Sequence, residues 1–303
     1  MTGIEETAQT IHTLLRMAPG ATDDRRALHA KGIVASGRFT ASGGLDGLTT
    51  ASHLVQGSTD AIVRFSHPSG NPKVSDAIPS GRGMAVKLAT PAGSHQLVAV
   101  SSPSFVVRDG DAFVEFILAR APDPETGAPD PANIGAFLEH HPEALPAIEY
   151  AMTAPAPTTY AELSYNGLHT FFFVDAGGHR TPFRYSFAPT IDVADRPAGD
   201  LADDHLASEL RSRLTAGPVE FTLLVRVGTD DDPIDDPTAI WSPREAIDAG
   251  TLAIDAVIRD AEPVIFDPNN VVPGVEVSAD PILALRKLVY GLSYAHRTEV
   301  PRP

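Results

Sequence analysis

The sequence predicts an α+β fold: an antiparallel β-barrel with flanking helices and a long closing helix near the C-terminal end. Three observations carry this. Short runs of β-forming residues follow one another to about residue 100, and a second set begins near residue 168. Gly, Ser and Pro clusters separate the runs, which is turn chemistry rather than helical crossover. Strands so closely spaced favour a closed antiparallel sheet or a sandwich. The third observation is a proline-free run before the C-terminus with helix-like apolar spacing.

The elements follow in order. Residues 1–20 read as a short amphipathic helix with Ile4, Ile11, Leu14 and Leu15 on or near one face. GIVASGRFT, AIVRFSH, GMAVKLAT and HQLVAV are then successive strands. FVEFILAR and PANIGAFLEHHPEALPAIEYAMT carry helical apolar spacing. In LHTFFFVDAGGHRTPFRYSFAPT two apolar runs flank Ala-Gly-Gly-His, a hairpin signal. PVEFTLLVRVGT is a further strand, and the Asp- and Pro-rich TDDDPIDDPTAIWSPREAID reads as a solvated loop, without EF-hand spacing. Asp280 caps the last helix and Pro281 suits its first position. No repeat and no linker divides the chain, so one domain over residues 1–303 is expected.

Composition excludes several functions. The 303 residues carry a formal net charge of -16 and are 43% hydrophobic, enough for a sizeable core. An acidic chain opposes nucleic acid and anionic membrane surfaces. The lack of cysteine excludes disulfides, thiolate haem ligation, Fe–S clusters and zinc–thiolate sites. No stretch approaches the ~18 apolar residues of a membrane span. The N-terminus has no positive start leading into an apolar run, so a cytoplasmic protein is expected.

Two constellations point to chemistry. On the last helix Arg286 and Tyr290 are four apart and share a face. Arg297, seven beyond Tyr290, lies near the same face. Alone, this would be a surface arginine and a half-buried tyrosine. At the other end, RRALHAKG places Arg26 three residues before His29, and VRFS puts Arg64 and Ser66 on one face of a strand. Together these pieces resemble the haem catalases. HAKG with Gly37 and Phe39, VRFS, GRGMAVKL, FVVRDGDAFVEF, the FFFVDAGGHR hairpin and DPNNVVPGVEVSADPILALRKLVY stand in the family's order over most of residues 26–297.

The resemblance implies a catalase-type barrel, haem b with its iron as cofactor, and roles for single residues. Tyr290 matches the proximal iron ligand. A free tyrosine titrates near ~10, and the ferric charge and Arg286 favour the phenolate. His29 matches the distal acid–base histidine, moving a proton from one peroxide oxygen to the other with an imidazole that titrates near working pH. Ser66 matches the serine that orients it. Arg26, Arg64 and Arg297 match the propionate-binding cluster. Phe105 and Pro268 match residues that pack the haem faces, and Phe113 and Phe116 match distal aromatics, although plain core packing suits these four nearly as well.

Two departures stand out. The long N-terminal arm and C-terminal region of ordinary catalases have no counterpart, so their tetramer and lengthened channel are not implied. Catalases carry an asparagine in LVGNNTP that helps hold hydrogen peroxide. This chain reads LVAVSSP, with Val100 there, or Ser101 if the register slips by one. That is similar to the small catalase-related peroxidases, which reduce organic hydroperoxides with an electron donor and dismutate hydrogen peroxide poorly. The expected partners are an organic hydroperoxide and a small electron donor, with a homodimer as a possible assembly. The alternatives are a fatty-acid hydroperoxide isomerase or dehydratase of the allene oxide synthase type, a true small catalase, and a haem carrier without turnover. A carrier has no use for a distal acid–base histidine.

Overall fold

Each long strand of this chain pairs antiparallel with its neighbours, and the ladder returns on itself. The computed structural model describes residues 3–123, 126–191, 201–259 and 264–299. The chain runs α1 (Gly3–Arg16), β1 (Gly32–Ala41), α2 (Ser52–Val55), β2 (Ser58–Ser66), β3 (Gly83–Thr90) and β4 (Gly93–Val100). Helices α3 (Gly110–Ala119), α4 (Pro131–His140) and α5 (Leu145–Thr153) follow. Then come β5 (Tyr165–Asn166), β6 (Phe171–Val174), β7 (Arg180–Pro189), α6 (His205–Ala216), β8 (Val219–Val227), β9 (Ile247–Val257), β10 (Val275–Val277) and α7 (Pro281–Glu299). The order β7-β5-β4-β3-β2-β1-β9-β8 is closed by pairing of β8 with β7, giving an eight-stranded antiparallel barrel. β6 and β10 extend the sheet from the part of β7 that β5 leaves free.

Side-chain alternation separates two apolar layers. On β2, Ala61, Val63 and Phe65 point inward and meet Phe39, Met84, Val86, Phe221 and Leu252 in the barrel core. Arg64 and Ser66 therefore point outward. Outside this wall a second core forms where α1, α3 and α7 pack, with Ile11, Leu15, Ala112, Ile282, Leu285 and Val289. The charged candidates lie between wall and helices. In α1, Ile11 and Leu15 are buried as expected, joined by Ala8 and His12, whereas Ile4 is 40% exposed.

The structure adds elements that the sequence pattern does not announce. β9 closes the barrel between β1 and β8, yet IDAGTLAIDAV is rich in Ala, Asp and Gly, all weak strand formers. Its pairing is set by both neighbours, with register shifts at Ser36/Gly37 and Leu223/Leu224. Helix α6 seats Leu206 and Leu210 in the barrel core. The acidic loop is bound to the protein rather than merely solvated. Asp232 pairs with Arg244 at 2.5 Å, Asp236 with Arg108 at 3.0 Å, and Asp235 accepts from the Ala279 amide.

Buried histidines make the fold acid-sensitive. Burial pushes His53 and His67 down to about 4 and His95 down to about 3. His53 Nε2 and His95 Nδ1 are 3.0 Å apart, hydrogen-bonded to one another. Each group is held below its unfolded value, so the unfolded chain takes up the proton first. Stability is then unaffected above about pH 6.5 and falls as pH drops from there toward 4. The unfolding free energy should fall steeply between pH 6.5 and pH 5, on the order of several kcal/mol in total, and the denaturant midpoint should fall with it. A midpoint flat over that window would contradict this account.

Candidate active site

The site is built from the outer face of the barrel. Gly32, Ser66, Gly83, Val100 and Asn166 are directly opposite one another across β1, β2, β3, β4 and β5, so their outward faces form one row. The His29 ring lies over this row. A Cβ on Gly83 would stand 2.9 Å from His29 Cε1 and 2.8 Å from Ser66 Oγ, so only glycine admits the ring there. Gly32 serves Arg64 likewise, since a Cβ would come within 2.7 Å of the guanidinium. Arg64 then donates to the His29 carbonyl at 2.9 Å.

His29 sits at φ 55, a left-handed conformation that costs a non-glycine residue on the order of 1 kcal/mol. The Ala30 amide donates to the Ser69 carbonyl and holds this segment on the loop after β2. His29 Nδ1 and Ser66 Oγ share a 2.9 Å hydrogen bond that orients the ring. Burial pushes the imidazole down to about 3, and the cations Arg64, Arg286 and Arg26 act in the same direction. This corrects the sequence expectation of a ring that titrates near working pH.

The α7 side carries a chain of four polar groups. Arg286 Nε and Nη2 donate to the Tyr290 oxygen at 3.0 and 2.5 Å. Arg286 Nη1 lies 2.6 Å from His169 Nε2, and His169 Nδ1 lies 2.6 Å from Asp280 Oδ2. Burial pushes His169 down, and Arg286 opposes its protonation despite the Asp280 carboxyl. Nδ1–H therefore donates to Asp280, and Nε2 accepts from Arg286. The other Asp280 oxygen accepts from the Ile282 amide at 2.8 Å and starts the helix. His169 and Asp280 were not singled out in the sequence for this role. Their only signals were a histidine opening the FFFV strand and a residue already explained as a cap.

The remaining candidates fall around these two groups. Arg26 and Arg297, from opposite ends of the chain, both donate to the Val264 carbonyl. Phe105 lies beside His169, ring centroids 6.0 Å apart, and 5.8 Å from Phe113, which stacks on Phe116. Pro268 is buried in a loop tied to β4 through Asp267 and Gln96, and to α7 through Asn269 and the Leu283 carbonyl. Ser101 is held away from the row, accepting from the Arg82 amide at 2.8 Å, so Val100 is the side chain on the His29 face.

An eight-stranded barrel with a tyrosine–arginine pair on its closing helix and a buried histidine on its outer wall has the architecture of the catalase-fold enzymes. The fold superimposes on a fungal catalase crystal structure with a TM-score of 0.78, at 23% identity, over 90% of this chain and 59% of the other. The chain belongs to the catalase family: the family model described as Catalase matches residues 23–301. It is 36% identical over 299 residues to a catalase-related peroxidase of Mycolicibacterium paratuberculosis, covering 95% of this chain and 94% of that one. A catalase-related peroxidase of Synechococcus elongatus is 31% identical over 288 residues, covering 92% and 85%. The chain is thus a peroxidase-type oxidoreductase, and catalases generally bind haem. The residues fit that group. A tyrosine oxygen backed by two guanidinium N–H donors suits a ferric ion, and three further arginines suit anionic propionates. Among the described residues no helix is long and apolar enough to cross a membrane.

Proposed function

We propose that this enzyme is a haem b peroxidase that reduces organic hydroperoxides with a small electron donor and has little catalase activity. One observation carries the reading: Val100 stands on the His29 face of the wall, where the catalases have an amide. Hydrogen peroxide needs polar anchors, whereas an alkyl or aryl hydroperoxide brings hydrocarbon that packs on an apolar wall. One hydroperoxide and two donor molecules, each giving up one electron and one proton, then yield an alcohol, water and two donor radicals. The protein is read as one cytoplasmic domain, with a homodimer as the assembly to test.

Tyr290 would hold the iron, with Arg286 offsetting the charge on its oxygen. Arg26, Arg64 and Arg297 would hold the propionates, and Phe105 and Pro268 would pack the ring. Haem supplies the electron-transfer chemistry when bound. His29 handles the proton: with Nδ1–H donated to Ser66, Nε2 takes a proton from one peroxide oxygen and passes it to the other. Propionates would also offset the arginines that depress His29 and move it back toward its ordinary value.

The test is Val100→Asn. An added amide contributes about 1 kcal/mol of hydrogen bonding, or several-fold in rate if expressed in the transition state. Oxygen release from hydrogen peroxide should rise by that factor, while donor oxidation with cumene hydroperoxide stays level or falls. Vigorous hydrogen peroxide dismutation by the unaltered protein would overturn the reading, as would an unchanged ratio of the two rates in the variant. A lipid hydroperoxide given without donor separates reduction from isomerisation, since only an isomerase would yield epoxide products.

A further inference from the structure

The residues that carry the His29 ring stand at the end of a strand ladder. The β2–β3 pairing runs from Ala61–Leu88 to Ser66–Gly83 and stops there. Ser66 supplies the Oγ that meets His29 Nδ1 at 2.9 Å, and Gly83 is the floor on which the ring lies. Ladder ends open more readily than ladder centres, so this terminal pair needs support from beyond the sheet.

A single buried side chain supplies it. His67 follows Ser66 and is 4% exposed. Its Nδ1 accepts from the Ser69 amide at 3.1 Å, which puts the ring proton on Nε2. Nε2–H then donates to Ser80 Oγ at 3.0 Å, and Ser80 stands three residues before Gly83 on the approach to β3. The same Oγ accepts from Arg82 Nη1 at 2.6 Å, and Arg82 Nη2 donates to the Asp76 carbonyl at 2.8 Å. Arg82 is itself buried, so this anchor is fixed. Burial pushes His67 down to about 4, with Arg82 and Lys31 acting the same way, so the ring is neutral at neutral pH and keeps one donor and one acceptor. An apolar ring would fill the space without the cost of burying polar nitrogens. What the imidazole adds is a bridge from the end of β2 to the start of β3.

We infer that His67 is a positioning residue: its bridge to Ser80 holds Ser66 and Gly83 at the spacing that fixes the His29 ring. This rests on the reading of His29 as the group that moves the proton, and deepens it. A misplacement of ~1 Å can cost about 10²-fold in rate, so a bridge that sets this spacing acts on the chemistry without touching the peroxide.

The experiment cuts the bridge from each end. In His67→Asn the shorter side chain can still accept from the Ser69 amide, as asparagine does two residues before an amide, but it does not reach Ser80. Ser80→Ala leaves the imidazole and removes its acceptor. Stopped-flow cleavage of cumene hydroperoxide by the haem-loaded proteins should slow about tenfold in each, less than on removing His29 itself. The double variant should be no slower than the slower single one, since both remove one link. His67→Gln, whose amide extends toward Ser80, should recover most of the rate. Crystal structures of the haem-loaded variants should show the His29–Ser66 hydrogen bond lost in His67→Asn and kept in His67→Gln. Full rates in His67→Asn or Ser80→Ala, additive losses in the double variant, or equal losses in His67→Asn and His67→Gln overturn the inference. If His29→Ala cleaves the peroxide at the wild-type rate, the reading of His29 falls instead, and the ring position in the crystals still decides whether His67 holds it.

Discussion

Tyr290→Phe is expected to reduce haem affinity by at least about tenfold and to remove the ferric phenolate spectrum from whatever haem remains. First-row metal sites commonly lose ~10- to 100-fold when only a supporting group is removed, and this substitution removes the proposed ligand itself. The geometry makes the phenol oxygen hard to replace. Arg286 donates to it twice, and Arg286 is in turn held by His169 and Asp280. With phenylalanine, two guanidinium N–H groups lose their acceptor in a half-buried pocket, and no other oxygen on α7 stands four residues after Arg286. The measurement is haem per chain after reconstitution, with the Soret and charge-transfer bands of the ferric protein. An unchanged spectrum would remove Tyr290 as ligand. A normal haem content with an altered spectrum would mean that the arginine cluster alone retains the ring.

The two halves of the site were not equally visible in the sequence. His29, Ser66, Arg286 and Tyr290 are legible because each lies within a short local pattern: a strand face for Ser66, a helix face for Arg286 and Tyr290. The transverse row of Gly32, Gly83 and Val100 is not legible that way. It depends on the register of four strands, and a slip of one residue would send Ser101 rather than Val100 to the His29 face. His169 and Asp280 were missed for a related reason. Their 2.6 Å contact spans 111 residues, and each had an adequate local explanation. The barrel as a whole was readable from its β-branched runs, but β9, which closes it, holds its place through β1 and β8 rather than through its own composition. The His29 environment was the least readable feature, because its shift comes from burial and from arginines contributed by three separate segments.

His29→Ala is expected to keep haem and to lose peroxide cleavage by ~10²-fold or more, the usual contribution of a positioned acid–base group. Two effects must be separated, because His29 occupies φ 55 and alanine tolerates that region poorly. His29→Asn supplies the separation, since asparagine adopts left-handed backbone more readily but has no imidazole to carry the proton. If the loss is proton transfer, both variants fall to a similar rate and the asparagine protein is the more stable of the two. If the loss is backbone displacement, asparagine restores much of the activity. The depressed imidazole sharpens the expectation. Burial, the first cause of the depression, disfavours the imidazolium with or without haem, so the ring would receive and release the proton within one passage along the peroxide. Ser66 Oγ, 2.9 Å from Nδ1, would hold that nitrogen and leave Nε2 to carry the proton in the proposed reaction. Stopped-flow mixing of the haem-loaded proteins with cumene hydroperoxide reads the cleavage step directly. Wild-type rates in His29→Ala would mean that another group on this wall moves the proton.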